Sequence, residues 1–153
     1  MKLGLLTTVG TGLAIAIAGA AYAQFSPKEA IDARVNAYRE TGAAFKTIND
    51  QLKSKTPLKI MLRTSARRIA STARDQYAWF PAGSGPEAGV KTKAKAVIWT
   101  DLASFHDAQA RLQREADLMA QTVETGDQDA MQKQAKALGA ACAACHKKYR
   151  EED

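Results

Sequence analysis

The chain has 153 residues, enough for one domain with its own core, of which 46% are hydrophobic and 25% charged. Its formal charge of +6 comes from 22 Lys and Arg set among 16 Asp and Glu. Basic residues scattered between acids, with only four Phe and four Tyr for stacking, argue against nucleic-acid binding.

Residues 1–23 stand apart. Lys2 is followed by a run of Leu, Ala, Ile, Gly and Thr that ends in Ala21-Tyr22-Ala23, the small-x-small pattern of a signal-peptidase site. This predicts a cleaved signal peptide, a mature chain from Gln24 and a periplasmic location. An uncleaved anchor is the alternative, since about 20 apolar or small residues can span a bilayer; the Gly, Ala and Thr content and the Ala-x-Ala ending favour cleavage. Removing residues 1–23 takes away one lysine and no acid, leaving +5.

Ser26-Pro27-Lys28-Glu29 has the form of a helix start, with Ser26 as N-cap, Pro27 in the first helical position and Glu29 closing a capping box. From there Ile31, Val35, Tyr38, Gly42, Phe45, Asn49 and Leu52 alternate four and three apart, which predicts a first helix to about Leu52 with that stripe inward. Thr56 and Pro57 offer the cap and opening residue of a second helix, with a weaker stripe of Leu58, Met61, Leu62, Ile69, Thr72 and Gln76 or Tyr77. Residues 80–89 are too rich in Pro and Gly for a helix and predict a long connection of the kind that often carries function. The third helix shows the cleanest repeat, Ile98, Leu102, Phe105, Gln109, Leu112, Ala116, Met119 and Val123, and ends at Gly126. Asp127 caps a fourth, in which Met131, Ala135, Leu138, Cys142, Cys145 and Tyr149 keep the period and turn both cysteines to the core. Four amphipathic helices over residues 24–153, with short first and last turns and a longer middle loop, predict an all-α, antiparallel, left-handed four-helix bundle.

Two cysteines in an exported chain ordinarily suggest a disulfide, but these are three residues apart on one helix, poor geometry for a bridge. Cys142-Ala143-Ala144-Cys145-His146 is the pattern C-x-x-C-H, in which two thiols add to the vinyl groups of one haem and the next residue offers an imidazole to its iron. Helical positions three and four apart share a face, so all three groups can approach one macrocycle. A thioredoxin-type pair belongs at a helix start after a strand, and no strand is predicted. Zinc needs more ligands than one further His can supply.

A C-x-x-C-H near the end of a four-helix bundle resembles the class II c-type cytochromes, above all the cytochrome c′ family, over essentially all of residues 24–153. Besides the haem motif the resemblance rests on Ala33-Arg34, on Trp79-Phe80 before the Gly-rich loop, on Ile98-Trp99 with Phe105 after it, and on Tyr149-Arg150. It implies one covalently bound haem c per chain, near the end of the C-terminal helix. It further implies His146 as the proximal iron ligand, Arg150 beside the proximal face, Arg34 at a propionate and Tyr38 as a bulky distal residue. The family often has glutamine beside that arginine, where this chain has Val35. Homodimers are common in the family, so a homodimer is a possible assembly.

Antiparallel helices bring the end of the fourth level with the start of the first, the end of the second and the start of the third. Met61, Met119 and Met131 all fall at the other end; from Met131 to His146 a helix rises about 22 Å, which excludes methionine as a sixth ligand. Tyr38 is at the right level, as a lid over the iron, as a core tyrosine, or both. His106 is near the right level but one position off its stripe, so a solvated flank is favoured over iron ligation. Arg34 is either a propionate partner or a solvated helix residue. Lys147, Lys148 and Arg150 are a docking patch for an acidic partner or simply cations suited to a helix C-terminus.

The expected function is therefore single-electron transfer between exported or membrane-bound redox proteins, through a five-coordinate, high-spin iron. The alternative is a module binding diatomic gases, nitric oxide or carbon monoxide, at the sixth position. A peroxidase-like enzyme needs a distal acid–base pair, and none is visible.

Overall fold

The computed structural model describes residues 26–152; the predicted signal peptide lies outside them. Helix α1 spans Pro27–Lys53 and opens on the predicted capping box, with Ser26 Oγ accepting from the Glu29 amide and Glu29 from the Ser26 amide at 2.8 Å. Its buried face runs Ile31, Arg34, Thr41, Ile48 and Leu52. The middle of the stripe thus lies one residue before the predicted Val35, Gly42 and Asn49. The sequence reading followed apolarity at Val35, whereas Arg34 and Thr41 are buried through hydrogen bonds of their own.

Helix α2 spans Lys59–Asp75, two residues later than predicted, and its N-cap is Leu58, not Thr56. The Thr56 amide donates to Ser54 Oγ at 3.1 Å and the Leu58 amide to Gln51 Oε1 at 2.8 Å, so side chains of the preceding helix end hold residues 54–58 as a turn. Leu58 and Met61, read as stripe members, are 55% and 40% exposed. Leu62, Ala66, Ile69 and Ala73 carry the inward face.

The predicted third helix is interrupted. A four-residue helix α3, Val97–Thr100, precedes α4, Leu102–Thr125, with a break at Asp101 (φ −134°, ψ 59°) whose carboxylate accepts from the Ser104 amide. Aspartate competes for backbone donors and so starts a new helix in the midst of the repeat. Leu102 is consequently turned outward, 44% exposed, while Phe105, Gln109, Leu112, Ala116, Met119 and Val123 face the core as predicted. Gly126, at φ 76°, ends α4 in the left-handed conformation that glycine adopts without strain. Asp127 then caps α5, Gln128–Tyr149, accepting from the Ala130 amide at 3.0 Å.

Around the bundle α1 packs on α2, α2 on α4 and α4 on α5; the seam between α1 and α5 is the thinnest of the four. An aliphatic core fills one end, from Ile48 and Leu52 through Leu62, Ile69 and Met119 to Met131 and Leu138. A smaller cluster of Ile98, Phe105 and Tyr149, with Phe80, Trp99 and Cys145 against it, fills the other. The connection between α2 and α3 is fastened to the chain end by an isolated antiparallel bridge, Ala94 to Arg150, with the Lys95 amide on the Tyr149 carbonyl and the Glu151 amide on the Lys93 carbonyl. Among the described residues no helix is long and apolar enough to cross a membrane.

Candidate haem site

The last turns of α5 present Cys142 and Cys145 as free, half-buried thiols three residues apart. Cys142 packs against the aliphatic core and Cys145 against the aromatic cluster, so the pair lies where the two ends of the interior meet. Burial raises both thiol pKa values; that of Cys145 is pushed up to about 11, with a further push from Cys142. Both are thiols at neutral pH.

His146 follows on the more exposed flank of α5, its carbonyl accepting the Arg150 amide at 2.9 Å. Partial burial, then the Arg150 charge, hold its imidazole below the usual histidine pKa, which leaves it neutral at pH 7 with a lone pair on one ring nitrogen. Arg150 thus acts on His146 through space while its backbone closes the helix.

Across the thin α1–α5 seam stands Tyr38. Its ring meets Trp79 edge-on (centroids 5.4 Å, 84°) and tilts against Phe80 at 6.4 Å. Burial raises its pKa far above the phenol value, with Cys145 and Cys142 adding to the rise and Arg34 opposing it, so the hydroxyl, both thiols and the guanidinium share one electrostatic neighbourhood. The hydroxyl donates to Gln76 Oε1 at 3.1 Å.

Arg34 is not the solvated residue that was one of its two readings. It is 2% exposed, donating through Nη1 to the Trp79 carbonyl (3.3 Å) and Ser84 Oγ (2.9 Å) and through Nη2 to the Ser84 carbonyl (2.6 Å) and Thr92 Oγ1 (3.0 Å). Its guanidinium also lies over the Phe80 and Trp99 rings at 4.9 and 5.6 Å. One cation therefore ties α1 to the whole 79–92 connection. Burial lowers its pKa, with Tyr38 and Glu87 offsetting part of the shift.

His106 is exposed on α4 and meets the exposed ring of Tyr77 edge-on at 5.9 Å. Met119 and Met131 lie in the aliphatic core at the far end, and Met61 is at the start of α2, its sulfur accepting from Gln51 Nε2. Sequence reasoning did not assign the polar groups that brace the site. Gln76 stood only as one of two stripe candidates, Ser84 lay in the predicted connection without a role, and Thr92 was given none. A signal was present in two glutamines at core-facing positions, whose burial demands partners.

The donor set fits a haem: two reduced thiols at motif spacing turned inward, a neutral imidazole beside them, and the loosest seam of the bundle where they face α1. Together these elements define a helical-bundle haem protein. A family model described as Cytochrome C′ matches residues 29–150. The cytochrome c′ of Rhodospirillum rubrum is 34% identical over 125 residues, covering 81% of this chain and 83% of that protein. The crystal structure of cytochrome c′ from Thermochromatium tepidum aligns with a TM-score of 0.80 at 28% identity, over 85% of this chain and 100% of that one. A further cytochrome c′, described as having an unusual ligand-controlled dimer dissociation, aligns with the same score and coverage at 26% identity. This chain belongs to the cytochrome c′ family.

Proposed function

We propose that this protein is exported to the periplasm after cleavage at Ala23, carries one haem c bound covalently through Cys142 and Cys145, and transfers single electrons through an iron ligated axially by His146 alone. The observation that carries this reading is the pair of free, half-buried thiols on the last turns of α5, packed where the two ends of the interior meet, with His146 next in sequence. Each thiol adds across one vinyl group, sulfur to one carbon and hydrogen to the other, so attachment needs reduced cysteines and consumes no oxidant. When bound, the haem supplies a one-electron iron couple.

The chain's own residues do the rest. His146 would hold the iron from the α5 side, with partial burial and then the Arg150 charge favouring its neutral form. Arg34 fixes the 79–92 connection and is assigned to a propionate, a buried cation whose four hydrogen bonds include none to a carboxylate. The cluster of Ile98, Phe105 and Tyr149 packs against Cys145 and gives the thiol side an apolar wall. Partners are exported or membrane-bound redox proteins, with an acidic surface suited to the Lys147–Lys148–Arg150 tail.

A second reading, capture of nitric oxide or carbon monoxide at the sixth position, is favoured by the placement of all three described methionines in or near the far end. A neighbour with ligand-controlled dimer dissociation supports both a ligand site and a homodimer.

Absorption spectra of the purified ferric and ferrous protein, with and without carbon monoxide, test this. High-spin bands and a ferrous form shifted by the gas are expected, with an intact mass of the chain from Gln24 plus one haem. A low-spin spectrum indifferent to carbon monoxide would sink the five-coordinate reading.

A further inference from the structure

The fixed groups opposite the thiols form a chain running from α1 through the end of α2 to α4. Gln76 is 1% exposed at the C-cap of α2. Its Nε2 donates to the Ala73 carbonyl at 2.8 Å and to the Gln109 carbonyl at 3.2 Å, and Gln109 Nε2 returns a bond to the Gln76 carbonyl at 3.2 Å. Both amide hydrogens of Gln76 are thereby engaged, which fixes the amide plane; reversing it would break two bonds. Only Oε1 remains, and it accepts the Tyr38 hydroxyl from the neighbouring α1.

We propose that Gln76 is a positioning residue that latches the Tyr38 phenol, and that a ligand reaches the free face of the iron only when this hydrogen bond breaks. The inference rests on the open sixth position proposed above. Tyr38 has few alternatives: Trp79 and Phe80 bracket its ring, and its burial keeps the hydroxyl a neutral donor throughout the physiological range. Gln76 Oε1 has few either. Among the described residues the one buried side-chain polar atom without a partner is the neighbouring Gln109 Oε1, itself an acceptor, so no idle buried donor stands there to replace the phenol. Opening thus leaves a buried acceptor unsatisfied, a cost about that of one hydrogen bond, and a factor of about ten in rate.

The test is flash photolysis of the carbon monoxide complex of the ferrous holoprotein. Tyr38→Phe removes only the hydroxyl and Gln76→Met only the amide; each is expected to speed carbon monoxide association about tenfold, and the double variant no more than either single one. Gln76→Glu keeps an acceptor oxygen while losing the Nε2 bonds, so it is expected to retain the slow rate despite a lower melting temperature. A merely structural glutamine would show the reverse, a rate that follows stability. Ultraviolet resonance Raman, with the Tyr38→Phe spectrum subtracted to isolate Tyr38, gives a readout independent of binding: a donor phenol in the unaltered protein and in Gln76→Glu, lost in Gln76→Met. Carbon monoxide binding at a rate that Gln76→Met leaves unchanged, or fully additive variants, overturns the latch. An unaltered protein that binds no carbon monoxide overturns the open-site reading itself.

Discussion

At the end of the bundle away from the cysteines, Ile48, Leu62, Ala66, Ile69, Ala116, Met119 and Leu138 are at most 2% exposed, and close packing of aliphatic side chains does the holding. At the cysteine end Arg34, Gln76, Ser84 and Gln109 are as deeply buried, and three of those four have every buried side-chain polar atom in a hydrogen bond. The first end is stabilised by area removed from water, which is forgiving of direction. The second is held by bonds with fixed directions, which set where the Tyr38 ring, the 79–92 connection and the aromatic cluster sit. The directional bonds are thus gathered at the cysteine end, and the aliphatic packing lies away from it.

Breaking the aliphatic end gives the largest stability effect. Leu138→Ala, at a fully buried position of α5 one turn before Cys142, is expected to cost about 3 kcal/mol in denaturant unfolding while leaving the iron absorption bands in place. Bands that shift along with the stability would show that the two ends are mechanically one. Arg34→Met keeps the unbranched stem of the side chain but removes four hydrogen bonds and both ring contacts; about 2 kcal/mol is expected, less than the sum of its bonds because burying the cation is itself costly. Its signature is local. Proteolytic cleavage within residues 81–89 should accelerate in Arg34→Met and not in Leu138→Ala, and equal acceleration in both would remove Arg34 from its role as the anchor of that connection.

The contrast also explains what could be read in the sequence. Periodicity reports apolar faces, so α4 and α5, where the stripe is aliphatic, were legible residue by residue from Phe105 to Val123 and from Met131 to Leu138. Caps whose side chain bonds its own helix were legible at Ser26 and Asp127. In α1 the buried register passes through Arg34 and Thr41, and polarity there pulled the reading onto Val35 and Gly42. Asp101 was hidden because the hydrophobic repeat continues across it, although its side chain ends one helix and begins the next. The start of α2 was misplaced because Ser54 and Gln51, not Thr56, bind the turn. The thiols and His146 were visible as a contiguous motif; Gln76, Ser84 and Thr92 matter through partners 33 to 58 residues away, a distance no local pattern spans.

Gln109 sharpens the comparison with the smallest effect. Its Nε2 serves the Gln76 carbonyl, its own carbonyl receives Gln76 Nε2, and its Oε1 has no partner among the described residues. Gln109→Leu removes one bond and one buried unsatisfied acceptor together while keeping the backbone carbonyl that orients Gln76. A lost hydrogen bond costs about 1 kcal/mol and a relieved unsatisfied acceptor returns a similar amount, so a net change within about 0.5 kcal/mol of zero is expected. By contrast, Gln76→Met strands the Tyr38 hydroxyl and takes a donor from the Ala73 and Gln109 carbonyls, and about 2 kcal/mol is expected in the same unfolding titration. A loss above about 2 kcal/mol for Gln109→Leu would mean that Oε1 finds a donor in solution. The cysteine end would then be as fully satisfied as the aliphatic end is fully packed, and Gln76 Oε1 would have a replacement donor within reach when the phenol leaves.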